Sequence, residues 1–425
     1  MVRPLTKQAL SLTALLCCLF AGRVAAQHSN DDYDDADPWL GFEPPGPTAY
    51  SALISGFLSA LGSTTSAVCQ LTVRSIGNNW SHGGHHDRIG MLSDEAEDAT
   101  LREALSRPIR DPAALAFLAG AFAHQHPCVR RAAARLLGES RAPDARRLLS
   151  AALHGNSARV REAAALGLAH AEDPASLRDL TGALRDRDQA VVRMAAYALG
   201  ELEDARAVKP LGDLLGSRDP GTRAAAAWSL GEIEDIRAVD RLKRLVDDDV
   251  AGVRLAAVEA LGELEDYRAT GALKTAIKDK DVRVRRAAAQ ALGEVEDHKA
   301  AEPLVQALTD PDPVVRRLAA QSLGELDGLK RAPPPLVAAL GDRDTEMVII
   351  AAQALGEIGD TGVVPELAAA YRSDNPRVRY SVVAALAELE DERGETVLHL
   401  ASNDRDQVVR HKAAEALRDL EDDDD

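Results

Sequence analysis

The sequence predicts an all-α solenoid of about ten stacked two-helix repeats, and three observations predict it. Aromatic residues make up only 3% of the 425 residues, too few large side chains for one globular core but suited to closely packed small helices. The segment LGELED recurs at 199–204 and 261–266, with LGEIED at 230–235 and LGEVED at 292–297. Aligned on its glycine, this segment marks Gly138, Ala169, Gly200, Gly231, Gly262, Gly293, Gly324, Gly356, Ala387 and Arg418, each step 31 residues except one of 32. Such a fixed period is the signature of a stacked array.

The N-terminus reads as a secretory signal over residues 1–26. Arg3 and Lys7 supply the positive segment, Leu10 to Gly22 the short apolar run, and Val24 and Ala26 the small residues before Gln27. Its removal takes away three basic residues and no acids, deepening a formal net charge of −18. The expectation is a secreted protein, periplasmic in a Gram-negative host. So acidic a chain repels phosphate backbones, which argues against a nucleic-acid partner.

Residues 27–92 form an acidic, Pro- and Gly-rich N-terminal segment. Its beginning, NDDYDDAD followed by EPPGP, lacks the apolar surface to order itself and reads as a linker. Residues 48–73 place Leu53, Ile54, Phe57, Leu58 and Leu61 at helical spacing, so a packed or capping helix is expected. The alternative, contact with a membrane, is weakened by Gly56, Gly62 and several Ser and Thr. No membrane span is expected after signal removal. A loop follows with His82, His85, His86 and Asp87 in SHGGHHD, imidazoles of the kind that hold zinc or copper; the plain reading is a solvated loop. Residues 93–110 then read as a capped leading helix, and 422–425 as an acidic tail. Outside the signal, Cys69 and Cys128 remain. An oxidising compartment allows them to pair, and independent buried or free thiols are the alternative.

Within the array, residues 111–421, each repeat carries two helical patterns. In the fourth, Asp204 caps a first helix with Val208, Leu211, Leu214 and Leu215 on one stripe, and Asp219 caps a second that ends near Gly231. The second cap recurs as His126, Ser157, Asp188, Asp281, Asp312, Asp344, Asn375 and Asp406; the fifth repeat slips, offering Asp249 one residue early. Neither helix buries its stripe alone, so repeats must stack. The unit "ED-x-RAV-x-PL…D-x-D-x-x-VR-x-AA-x-ALG" resembles the short HEAT-like repeats of the phycobilisome-lyase class. The resemblance implies a right-handed α-solenoid whose second helices line the concave surface.

Four residues before each mark the side chain is always small, as close helix packing requires. Seven and three before it the side chains vary, and these positions share one helical face, the expected groove, roughly 100 Å long at 8–10 Å per helix. Here Tyr197 and Trp228 are equivalent positions in adjacent repeats, with Arg193 one turn before and Leu255 diagonally beyond. Tyr, Trp and Arg are the residues of interface hot spots; packing between repeats is the alternative for the two rings. Arg286 and Arg317, with Gln290, Gln321 and Gln353, form a basic and amide-rich strip suited to an acidic or extended peptide. The recurring Val-Arg pair reads as structural, its arginines bonding caps and carbonyls of neighbouring repeats.

Catalytic patterns are missing from the sequence: it has no phosphate-binding Gly loop, nucleophile elbow, metalloprotease helix or His-Glu dipeptide. The expectation is therefore an exported, non-catalytic scaffold with no cofactor, holding a protein or peptide partner in its groove. The resemblance also implies an alternative, a lyase-like or metal-binding enzyme component built on the same repeats. The sequence leaves oligomeric state open.

Overall fold

The computed structural model describes Ile54, Ser55, Leu58 and residues 109–423 apart from positions 141, 296 and 327. Among these residues all regular structure is helical. The chain folds as two compact units that meet in sequence at Ala171 and Glu172. The first contains α1 (Pro112–Gly120), α2 (Pro127–Glu139), α3 (Pro143–Leu153) and α4 (Ala158–Ala171). The second contains α5 (Leu177–Ala183), α6 (Gln189–Gly200), α7 (Val208–Leu214), α8 (Pro220–Glu232), α9 (Val239–Leu242), α10 (Ala251–Glu263), α11 (Thr270–Ala276) and α12 (Val282–Glu294). It continues with α13 (Ala301–Ala307), α14 (Pro313–Glu325), α15 (Pro334–Ala338), α16 (Thr345–Ile358), α17 (Val364–Ala370), α18 (Pro376–Glu388), α19 (Glu392–Ala401) and α20 (Gln407–Asp423). These are ten helix pairs in the predicted register. Ile54 and Leu58 are helical and buried. The signal, the linker, Cys69, the His82–His86 cluster and residues 93–108 of the expected leading helix lie outside the described residues, and Ile109 and Arg110, its expected end, are not helical.

Side-chain size explains the stacking. In the second unit each even-numbered helix from α6 to α20 packs on the next, and each odd-numbered helix packs on its own partner. Of the predicted small positions in this unit, Ala196, Ala227, Val258, Ala289, Ala320, Ala352 and Val383 are fully buried, and Ala414 in the last repeat is exposed. The marked glycines give the reason for their identity. A Cβ on Gly200 would lie 2.9 Å from the Ser229 backbone, and one on Gly231 2.9 Å from that of Ala260. Backbones this close leave no room for a side chain. Ser229 uses the same proximity to donate its hydroxyl to the Ala196 carbonyl of the previous repeat (2.8 Å).

Six of the second helices leave through a left-handed residue three positions after the mark. Glu172, Glu203, Glu234, Glu265 and Glu390 hold φ between 46° and 51°, and Gly359 takes this position at 72°. For a non-glycine residue that conformation costs about 1–2 kcal/mol. The turn carries the chain into the next cap: Asp204, Asp235, Asp266, Asp297, Asp360 and Asp391 each accept a backbone N–H two residues on. Apart from the last, these aspartates open a 3-10 turn that precedes the first helix.

The second-helix caps agree with the sequence at His126, Asp188, Asp219, Asp281, Asp312, Asp344, Asn375 and Asp406. The fifth repeat differs. Asp249 does not cap; α10 starts after Val250, whose side chain offers no bond, and Asp248 accepts the Val250 N–H instead (2.9 Å). The register is unbroken, with valine simply occupying the cap. Val250→Asn is therefore expected to stabilise the fold by about 1 kcal/mol, read as a raised denaturation midpoint; an unchanged or lower midpoint would count against the cap assignment.

Candidate functional site

The site is built on the second helices, where positions seven and three before the mark and one after it share a stripe, each four residues from the next. Tyr197 on α6 and Trp228 on α8 are half-buried and stack face to face, ring centroids 4.9 Å apart and planes 15° apart. The Trp228 ring reaches back over Gly200, where its edge lies 3.1 Å from where a Cβ would stand. The Tyr197 hydroxyl offsets part of the burial that raises the Glu201 carboxyl. The two predicted rings thus form one element that spans adjacent repeats while keeping part of its surface in solvent. Leu255 on α10 is also partly exposed.

The predicted basic strip is corrected by its partners. Arg286 forks onto Asp312 (3.0 and 2.7 Å), the cap of the next second helix. Arg317 donates to one oxygen of Asp344 (2.8 Å), and Arg193 to one oxygen of Asp219 (2.8 Å), again the caps of the next second helices. The Arg286 guanidinium holds the Asp312 carboxyl down to about 2. Gln290 and Gln321 donate along their own helices to Glu294 and Glu325 (both 2.9 Å). These side chains are occupied, so the strip is not a free cationic surface for an acidic peptide.

The Val-Arg series is structural, with a geometry finer than expected. Nη1 bonds carbonyls of its own repeat, as from Arg254 to Asp248 (2.8 Å). Nε and Nη2 grip a carboxylate of the next repeat two residues before its cap. The pairs are Arg223–Asp248 (2.7 and 2.8 Å), Arg254–Asp279 (2.6 and 2.8 Å), Arg285–Asp310 (2.8 and 3.0 Å) and Arg379–Asp404 (both 2.8 Å). A second link runs from Arg237, Arg268 and Arg393 to carbonyls of the previous repeat (3.2, 3.0 and 2.8 Å).

Sequence reasoning missed the third row of the stripe. Glu201, Glu232, Glu263, Glu294, Glu325, Glu357 and Glu388 follow the marks on successive second helices. Among the described residues none of them forms an ion pair. Desolvation against neighbouring repeats, then the like charges of Glu201, Glu263, Glu203 and Glu234, push the Glu232 carboxyl up to about 7. Desolvation, first among the causes, also raises Glu201, Glu294, Glu357 and Glu388. The signal was the Glu that follows the mark in every repeat but those with His170 and Asp419, one turn beyond the variable position.

This row has a pH consequence. A carboxyl whose folded value is raised above its ordinary value is a penalty at high pH, relieved as pH falls through the folded value near 7. Glu232→Gln is expected to raise the melting temperature at pH 8, with the difference from the parent shrinking toward pH 5. After solvent screening the effect is below about 1 kcal/mol. An effect that grows toward pH 5 would contradict a carboxyl raised in the folded state.

Cys128 on α2 is fully buried and disulfide-bonded, while Cys69, its expected partner, lies outside the described residues. Among the described residues no group of three or more His, Cys, Asp or Glu is placed to hold a metal ion, and no helix is long and apolar enough to cross a membrane.

Several solved structures resemble the chain. An engineered protein is 21% identical over 72% of this chain and 98% of its own, with a TM-score of 0.46. The complex of CpcE and CpcF of phycocyanin lyase from Nostoc sp. PCC7120 is 25% identical over 57% and 94%, with a TM-score of 0.36. Human deoxyhypusine hydroxylase is 22% identical over 65% and 96%, with a TM-score of 0.28. No curated protein matches the sequence. The family of HEAT repeats matches residues 114–198, 177–262, 251–324 and 333–418, and the PBS lyase HEAT-like repeat matches 315–342. These segments span most of the chain and coincide with the paired helices and their 31-residue register: the protein belongs to the family of HEAT-repeat proteins.

Proposed function

We propose that this protein is an exported, non-catalytic scaffold that holds a protein or peptide partner along the concave face of its second helices. The observation that carries the reading is the Tyr197–Trp228 stack, a half-exposed aromatic element that joins two adjacent repeats. Stacked aromatic rings of this kind anchor interfaces because they bury large area at low entropic cost. Tight, repeated inter-repeat bonding supports a rigid support rather than a site that closes around a substrate. The disulfide at Cys128 supports an oxidising compartment, in line with the N-terminal signal.

Capture of partners from the extracytoplasmic fraction of the host tests this. A tagged protein is expected to retain a discrete partner, and Tyr197→Ala with Trp228→Ala to reduce capture at least about tenfold while circular dichroism stays helical. Undiminished capture by the double variant removes the rings from the account. Bound bilin absorbance or stoichiometric metal in the purified protein would overturn the non-catalytic reading.

A further inference from the structure

We infer that the partner segment is cationic and extended, crossing the second helices with one apolar side chain on Trp228 and basic side chains on the glutamate row. The inference rests on the reading of this face as the binding face and adds the chemistry of what it binds. Two independent features lead to it.

The first is an apolar window. In three other repeats an arginine seven before the mark is clamped by the next cap: Arg193–Asp219, Arg286–Asp312 and Arg317–Asp344. Beside Trp228 both members are replaced together: Ala224 takes the arginine position and Val250, 41% exposed, takes the cap. Leu255 follows in the next repeat. A ligand seated here displaces no ion pair. The window is flanked on both sides by clamped pairs, and Tyr380, 38% exposed at the same position of a later repeat, is a second exposed ring on this row.

The second is charge. The arginines of this stripe are spent on caps, whereas Glu232, Glu263, Glu294 and Glu325 have no ion pair among the described residues. Burial first, and then the like charges of Glu201, Glu263, Glu203 and Glu234, raise the Glu232 carboxyl. Cations placed along this row would offset those like charges, and the Trp228 and Tyr197 rings accept them from the other side. Packed helices lie about 8–10 Å apart, and a chain extended as polyproline II advances about 3.1 Å per residue with three residues per turn, so about every third side chain meets a new repeat on the same face.

The test uses fluorescence anisotropy with the full chain and three labelled 20-residue peptides. One carries Lys at every third position and a central Leu, one has Glu in place of Lys, and one has the lysines clustered at one end. The spaced cationic peptide is expected to bind most tightly. Glu232→Gln with Glu263→Gln and Glu294→Gln should weaken it about tenfold, and Trp228→Ala by a similar factor. A control triple with the same charge change on the first helices, Glu302→Gln, Glu366→Gln and Glu392→Gln, should change it less than about twofold. Equal losses from the two triples, or a spaced peptide no better than the clustered or acidic one, overturn the inference. If the acidic peptide binds and Trp228→Ala weakens it, the face remains the binding face and only the charge assignment falls.

Discussion

Asp404→Ala is expected to destabilise the C-terminal repeats by about 3–5 kcal/mol. Asp404 is the most enclosed carboxylate of the inter-repeat series, with side-chain exposures of 4% for it and 5% for Arg379. It accepts two guanidinium N–H groups of Arg379, the Tyr371 hydroxyl at 2.6 Å and the Asp406 backbone N–H at 2.8 Å. Arg379 first, among these donors, holds its carboxyl far below the usual range. Removing it strands a buried cation and a buried phenol hydroxyl. A carboxyl depressed in the folded state gives stability above its unfolded value that is lost as pH falls. The loss in the variant should therefore be full at pH 7 and smaller toward pH 3. By contrast, removal of Glu346, which pairs with the exposed Arg377, should cost less than about 1 kcal/mol. Urea denaturation combined with hydrogen exchange over α17–α20 reads both the size and the place of the effect. A deficit under 1 kcal/mol would mean that the Arg–Asp series does not bind the repeats together.

A second large effect is expected where the backbones meet. Gly231→Ala places a Cβ 2.9 Å from the Ala260 backbone, forcing α8 and α10 apart at a cost of about 1–3 kcal/mol. The same substitution at Gly252, inside α10 with nothing within 4 Å of the added carbon, should stabilise by about 0.5–1 kcal/mol through helix propensity. Opposite signs for one chemical change in neighbouring helices, read as midpoint shifts, separate packing from propensity. Two stabilising or two neutral results would place the α8–α10 contact elsewhere.

The sequence carried the fold because each repeat restates it. The glycine marks fall where neighbouring backbones approach, the alanines four residues earlier are buried, and the aspartates accept the first N–H groups of their helices. What it could not show lies one repeat away from each residue concerned. Arg286 reads as free because Asp312, its partner, is 26 residues on. Val250 reads as a slip because two aspartates stand beside it, yet the register passes through the valine. The glutamate row escaped notice for the opposite reason. Its residues do not vary, so a search for differences between repeats passes over them, although stacking turns one repeated carboxylate into a charged line. Tyr197 and Trp228 were singled out by their rarity; the structure adds that they touch, which makes packing and binding two uses of one element.

Site-specific photocrosslinking tests the central claim most directly. A benzophenone side chain at the exposed Gln353, on the second-helix face, is compared in the host cell with one at the exposed Glu366 on α17. The account predicts a discrete adduct with a partner from Gln353 and none from Glu366. An adduct from Glu366 alone, or equal labelling from both, would contradict it.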